Sequence, residues 1–310
     1  MIYIADAHGV VDSVYHTLIN HINCKIPILI VSYHDNFVFN EKLLSLKKGE
    51  FILIDFIEMG WDYDWSKHSL DNYCKRFQGK AGDEWAKFHE WVSEKPLLIF
   101  KRELDIPTSK AGGYYPIEYP NLTNKYPVQT KEEFNARPID LFSYWGRSNE
   151  IRVQTHGDIW KGASTYGYSV CDNLYYFNEF MKEEKGKKIV SLWIPHYGRT
   201  DISNLLAING MSKLSLSLPG AGIKCFRSTG EAPVNSVMVC KNDNLAWSYP
   251  FIDGVNCIKW DNYLSLNQTI EIALKNENLY EIYLEGMETA DKYRRDNYIN
   301  NYILPLINSI

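Results

Sequence analysis

The sequence predicts an α/β protein of two Rossmann-like domains, each built on a parallel sheet and facing a shared cleft, with a helical carboxyl-terminal tail. Three observations predict it. At 310 residues the chain has room for two domains of ordinary size. Short, continuous apolar runs alternate with helical patterns through most of its length, and such runs mark strands covered on both faces. From about Leu266 to Ile307, almost every residue fits a helical pattern.

The elements follow in order. Ile2–Ala5 is a brief strand, with a turn at Asp6–Gly9 and a helix to about Ile22. PILIVSY (Pro27–Tyr33) and FILIDF (Phe51–Phe56) are apolar runs bounded by polar residues. Asp83–Ser93 carries Trp85, Phe88 and Val92 on one helical stripe, and PLLIFK (Pro96–Lys101) is the next strand. Between Arg102 and Arg137 the pattern lapses among Pro107, Pro116, Pro120 and Pro127, with Gly112-Gly113 and two tyrosines after them. A loop so long is unusual inside a compact domain, so this stretch reads as a crossing between domains. The alternation then resumes with Ile139–Trp145, Lys187–Pro195, Lys213–Leu218, Ser236–Cys240 and Asn256–Trp260. The expected division is 1–135 for an amino-terminal domain, 136–285 for a second domain and 286–310 for helices that return towards the first.

Composition narrows the function. Hydrophobic residues make up 45% and charged ones 23%, which excludes a disordered or low-complexity chain. The formal charge is −5, from 33 Lys and Arg against 38 Asp and Glu, so sequence-independent binding to nucleic acid gets no support from bulk charge. Nine Trp and 22 Tyr suit sites that stack on rings or sugars, although such residues more often fill cores. Cysteines at 24, 74, 171, 225, 240 and 257 have no zinc-knuckle or redox-pair spacing. MIYIADAHGVVDS lacks the charge and apolar core of a secretory signal, and no run approaches the roughly 18 apolar residues of a membrane span. Reduced thiols in a cytoplasmic protein are the expectation.

The most informative stretch is Ser215–Cys240, SLSLPGAGIKCFRSTGEAPVNSVMVC. A strand ends at Leu218 and Pro219-Gly220-Ala221-Gly222 follows. Glycines there let backbone N–H groups approach an anion at the next helix amino terminus. Lys224 and Arg227 bring cations to the same place, and Glu231 stands where a carboxylate can accept both hydroxyls of a ribose. Phosphate donors and a ribose acceptor so close together describe a nucleotide diphosphate site. A second segment agrees, since the strand from Ile139 runs into Gly146-Arg147 and then Arg152. Guanidinium forks match phosphate oxygens and stabilise charge as it builds on a leaving diphosphate. His196 directly follows the strand ending in WIP, within reach of a base or phosphate by the strand-end rule.

These two segments resemble the donor-binding half of GT-B fold glycosyltransferases. In that family a strand leads to a Gly-rich loop, a basic residue and a Glu, then to an "E-A-L…G-x-x-P-V" stretch. Glu231-Ala232-Pro233 through Val237-Met238-Val239 is similar to it, with Asn235-Ser236 where a Gly is usual and an extra residue, Gly230, before Glu231. The resemblance implies a GT-B fold and transfer of a sugar from a nucleotide-diphosphate donor, with a UDP-sugar as the first candidate, to an acceptor hydroxyl. It also implies that no metal is required and no cofactor tightly bound, because cations and a helix terminus carry the diphosphate. The first domain then holds the acceptor and any general base. Asp6 and His8 after the first strand, Glu58 beside the Trp61–Trp65 cluster, and Glu103 after the PLLIF strand are the candidates. Inverting and retaining chemistry both fit.

A surface glycan is the first choice of acceptor. Hydroxymethylated phage DNA is the alternative, from a loose likeness of Gly146-Arg147…Arg152 to a phage DNA glucosyltransferase and from the Tyr- and Lys-bearing segment Lys110–Lys131. A non-catalytic nucleotide-sugar-binding protein is a further alternative. The opening D-x-H-G also resembles calcineurin-like metallophosphoesterases, whose later G-D-x-x-D, G-N-H-[DE] and G-H-x-H stretches this chain lacks.

Overall fold

A computed structural model of the chain describes residues 2–4, 25–31, 49–56, 96–102, 104, 106–110, 112–121, 125–146, 181–184, 187–194, 202–218, 224, 229–230, 232–261 and 263–310. The described residues hold two α/β units, each with its own largely parallel sheet. Unit 1 comprises Met1–Glu118, Asn244–Ser248 and Arg295–Ile310, and unit 2 comprises Tyr119–Asp243 and Tyr249–Arg294.

In unit 1 the strands β1 (Ile2–Ile4), β2 (Ile28–Val31), β3 (Ile52–Asp55), β4 (Leu98–Lys101) and β5 (Tyr114–Pro116) lie side by side in chain order, every pair parallel. Ile28, Leu29 and Ile30 are buried, as are Ile52, Leu53 and Ile54, so successive residues on opposite faces are both covered. That double burial is why these strands read as unbroken apolar runs. β5 falls inside the stretch that the sequence reads as a crossing. Its three residues are too few to show a period, and Pro116 is tolerated because the strand lies at the sheet edge. Gly112 and Gly113, at φ 78° and 71°, make the left-handed turn into it. A short helix α1 (Ile106–Ser109) precedes that turn.

In unit 2 the strands β6 (Ile139–Gly146), β7 (Met181–Glu184), β8 (Lys187–Ile194), β9 (Ser212–Ser217), β10 (Val237–Lys241) and β11 (Ile258–Trp260) form a sheet in the order β11-β10-β9-β6-β8-β7. All pairs are parallel except β7 with β8, an antiparallel hairpin at one edge. The MKEE sequence of β7 has no apolar run, so nothing in the sequence marks it as a strand; charged residues are common on edges. Helices α2 (Lys131–Asn135), α3 (Ile202–Gly210), α4 (Tyr263–Leu274) and α5 (Leu279–Lys292) belong to this unit. Leu141, Leu214, Leu216, Val237, Val239 and Trp260 of the sheet share one core with Phe134, Leu266, Ile270, Ile282 and Tyr283 of the helices.

The helical tail is as the sequence predicts. After α4 and α5 come α6 (Arg295–Tyr298), a π-helical turn (Ile299–Ile303) and α7 (Leu304–Asn308). This last part belongs to unit 1, where the Tyr302 hydroxyl donates to the Pro116 carbonyl at 2.9 Å and the Tyr298 hydroxyl to Glu118 Oε2 at 2.9 Å. The segments Asp6–Gly9, Asp83–Ser93 and Trp61–Trp65 lie outside the described residues. Among the described residues, no helix is long and apolar enough to cross a membrane.

Candidate functional site at the β6–β9 strand ends

The chain enters the second sheet through β6, continues to β8 on one side, then crosses to β9 on the other and proceeds outward through β10 and β11. Strand order therefore reverses at the β6–β9 pair. In open α/β sheets a ligand-binding crevice opens outside the carboxyl ends of the strands at such a point. Ile139 of β6 pairs with Ser212 of β9, and Phe142 with Ser215, so the two strands run in register towards that end. Gly146 is the last residue of β6, and Leu218, buried, directly follows β9. The two chain segments that the sequence marks as anion-binding thus follow the carboxyl ends of neighbouring parallel strands.

Of the site residues expected within Ser215–Cys240, Lys224 is described and is 1% exposed. Further along, the Thr229 hydroxyl donates to the Tyr119 carbonyl at 2.7 Å, and Gly230 is packed against Asn121 closely enough that a Cβ would lie 3.3 Å from Asn121 Oδ1. The extra glycine of this segment therefore has a packing role.

Residues 232–236 form a buried loop leading into β10. Ala232, Val234, Asn235 and Ser236 are all buried, and a buried loop must satisfy its polar groups within the protein. This one does. Asn209 Nδ2 at the end of α3 donates to the Val234 carbonyl at 3.0 Å, and the Ser236 hydroxyl donates to the Ala232 carbonyl at 2.8 Å. The Asn235 N–H points to Met287 Sδ at 2.8 Å, and its carbonyl accepts from Arg137 Nη1 at 2.9 Å. The same nitrogen of Arg137 donates to the Ser212 carbonyl at the start of β9, at 2.6 Å. Arg137 lies over the rings of Phe134 and Tyr283, 4.5 and 4.8 Å from their centroids. Burial pushes its guanidinium down to about 10, so it still carries its charge at neutral pH.

Asn235 and Ser236 are the pair that departs from the stretch the sequence resembles. The φ of Asn235 is 67°, in the left-handed region that favours glycine and, after it, asparagine.

In unit 1, the carboxyl ends of β3 and β4 carry a fully buried ion pair, Lys101 Nζ to Asp55 Oδ2 at 3.2 Å. The Arg102 N–H donates to the Asp55 carbonyl at 3.0 Å. The candidate bases Glu58 and Glu103 come after these strand ends in sequence. Those two residues, with Asp6, His8, Arg147, Arg152, His196, Gly220, Gly222, Arg227 and Glu231, lie outside the described residues. Sequence reasoning missed Arg137, Asn209 and the Asp55–Lys101 pair. For the pair a signal existed: each charge ends an apolar run, and aligning the runs in parallel sets Asp55 opposite Lys101. Among the described residues no three His, Cys, Asp or Glu side chains gather as metal ligands would.

No protein-family model matches the chain, and no curated protein matches it in sequence. Similar solved structures do exist. The fold is similar to those of solved glycosyltransferases. The spinosyn rhamnosyltransferase SpnG, complexed with thymidine diphosphate, matches with a TM-score of 0.41 and 10% identity over 95% of this chain and 77% of its own. The glycosyltransferase SnogD from Streptomyces nogalater matches with a TM-score of 0.39 and 10% identity over 90% of this chain and 71% of its own. TarM matches with a TM-score of 0.46 and 13% identity over 98% of this chain, which spans only 59% of the length of TarM.

Proposed function

We propose that this chain is a metal-independent GT-B-type glycosyltransferase, with a nucleotide-diphosphate sugar, first a UDP-sugar, as donor. The observation that carries the reading is the adjacency of β6 and β9 where strand order reverses, because Gly146-Arg147 and the loop Pro219–Gly222 follow those two strands. In this reading the N–H groups around Gly220 and Gly222 and the side chains of Arg147, Arg152, Lys224 and Arg227 hold the diphosphate. Glu231 accepts the ribose hydroxyls, and His196, after β8, reaches the base or a phosphate.

The chemistry follows from the charges. As the anomeric C–O bond to the diphosphate breaks, negative charge grows on the leaving oxygen, and fixed cations stabilise it without reorganising. The acceptor oxygen bonds to the anomeric carbon and gives up its proton. In an inverting reaction Asp6, His8, Glu58 or Glu103 takes that proton. Residues 1–135 then serve as the acceptor domain, 136–285 as the donor domain and 286–310 as the returning tail, in a cytoplasmic protein acting on a surface glycan.

Calorimetric titration with uridine and guanosine diphosphates tests the donor half. Binding of one of them, weakened at least tenfold in Arg227→Ala, is expected. Absence of binding to either nucleotide would defeat the reading. Release of free nucleotide diphosphate from a panel of nucleotide sugars, with glycan and hydroxymethylated DNA as acceptors, then separates the acceptors and distinguishes turnover from mere binding.

A further inference from the structure

We infer that a cavity at the amino-terminal ends of the second sheet's strands binds a small molecule that joins an apolar body to one carboxylate. The cavity lies within unit 2 and encloses about 230 Å³. Pockets that take drug-sized ligands usually run to about 300–1,000 Å³, so this one suits a smaller guest. Its place in the sheet sets it apart from the crevice where strand order reverses. Val234, on its wall, stands just before β10. The segment that supplies Tyr126 and Val128 is tied to the chain just ahead of β9, because Gln129 Nε2 donates to the Gly210 carbonyl at 3.2 Å. Both features belong to the ends at which strands start, whereas Gly146 and Leu218 mark the ends at which β6 and β9 finish.

The walls are apolar and the mouth is charged. Leu284, Met287 and Asp291 line the cavity three and four residues apart on α5, so they share one face of that helix. Tyr126 packs against the buried Val234 and Ala290, while Val128 remains 51% exposed. Apolar surface left uncovered in a concavity is what a ligand buries. The acids at the mouth already have cations. Glu288 Oε1 pairs with Lys292 Nζ at 2.9 Å, and Asp291 Oδ1 with Arg294 Nε at 2.9 Å. Arg294 engages Asp291 through Nε, so its terminal Nη atoms remain as donors. Among the described residues Lys125 forms no ion pair. A guanidinium edge and an ammonium at one mouth match a carboxylate, and a cationic guest would meet repulsion there.

Octanoate is the probe, with octylammonium and 1-octanol as its cationic and neutral counterparts. In calorimetric titrations at pH 7 the native chain should bind octanoate with a Kd of about 1 mM or tighter. Octylammonium should bind at least tenfold more weakly and 1-octanol at least threefold. Val128→Trp puts a large ring at the mouth and should abolish octanoate binding, and Lys125→Glu should weaken it about fivefold or more. Both positions are exposed, so melting temperatures should stay native. Saturating uridine diphosphate should leave the octanoate affinity within twofold. Absence of octanoate binding would overturn the inference, as would equal affinity for either counterpart, no effect of either substitution, or displacement by uridine diphosphate. Nucleotide binding measured without octanoate is read separately, and it alone decides the function proposed above.

Discussion

A Cβ added to Gly210 would overlap the side-chain nitrogen of Asn235, so these two residues constrain each other's identity. The φ of Gly210 is not among the positive ones, so its requirement is spatial, while that of Asn235 is conformational. Gly210→Ala should therefore destabilise the protein by about 1–3 kcal/mol, the usual cost of overpacking. In an Asn235→Gly background the same change meets open space and should cost much less. Urea unfolding of the four proteins gives the coupling, expected between about 0.5 and 3 kcal/mol. Additive effects would show that the end of α3 shifts freely away from the loop.

The Asp55–Lys101 pair has no exposed surface on either side chain. Removing one partner takes away a buried counter-charge, which costs about 3–5 kcal/mol, whereas replacing both with apolar residues of similar volume is often neutral. Asp55→Leu and Lys101→Met should each lower the melting temperature strongly, and the double variant should recover most of the loss. If the double variant retains its stability but loses turnover, the pair serves the chain segments that carry Glu58 and Glu103. A double variant no more stable than the singles would show that polar partners beyond the pair depend on it.

Much of this architecture is legible in the sequence, for a physical reason. β2, β3, β4, β6, β8, β9, β10 and β11 fall within or a residue or two from the runs that predict them, and for β2, β3 and β4 this is because strands buried on both faces need uninterrupted apolar residues. β5 and β7 escape notice: one is three residues ending in proline, the other a charged edge. The anion-binding segments are legible because glycine and cations directly after a strand are local signals. Arg137 is not, since its two backbone acceptors lie 75 and 98 residues away along the chain. Nor is the positive φ of Asn235, which depends on contacts with residues distant in sequence.

The start of α2 carries a pH-dependent cap. The Thr130 N–H donates to Glu133 Oε2 at 2.8 Å, and the Glu133 N–H donates to Thr130 Oγ1 at 3.3 Å. Bonding to the Thr130 backbone, then to its hydroxyl, holds the Glu133 carboxyl below its usual range. An acid whose pKa is lower in the folded state adds stability above its unfolded pKa and loses it as the pH falls through the folded value. Glu133→Ala should thus melt earlier than the native protein at pH 7, and the gap should narrow as the pH falls below about 4, closing where the folded carboxyl too has taken up its proton. A gap that stays constant down to pH 2.5 would assign the effect to helix propensity alone.

Cys240 and Cys257 are free thiols on the adjacent segments of β10 and β11, Cys257 fully buried. The hydrogen bond with Cys257 raises the Cys240 thiol well above its ordinary value; burial adds to this, and the nearby Lys259 offsets only part. Alkylation requires the thiolate, so the thiolate fraction at pH 8 is far smaller than that of an ordinary cysteine. Iodoacetamide labelling followed by peptide mapping should find Cys240 at least tenfold slower in the folded protein than in urea. Cys257→Ala removes the hydrogen bond while leaving the strand in place, so Cys240 should become faster in that variant. Equal rates in the native and Cys257→Ala proteins would leave burial as the sole cause of its inertness.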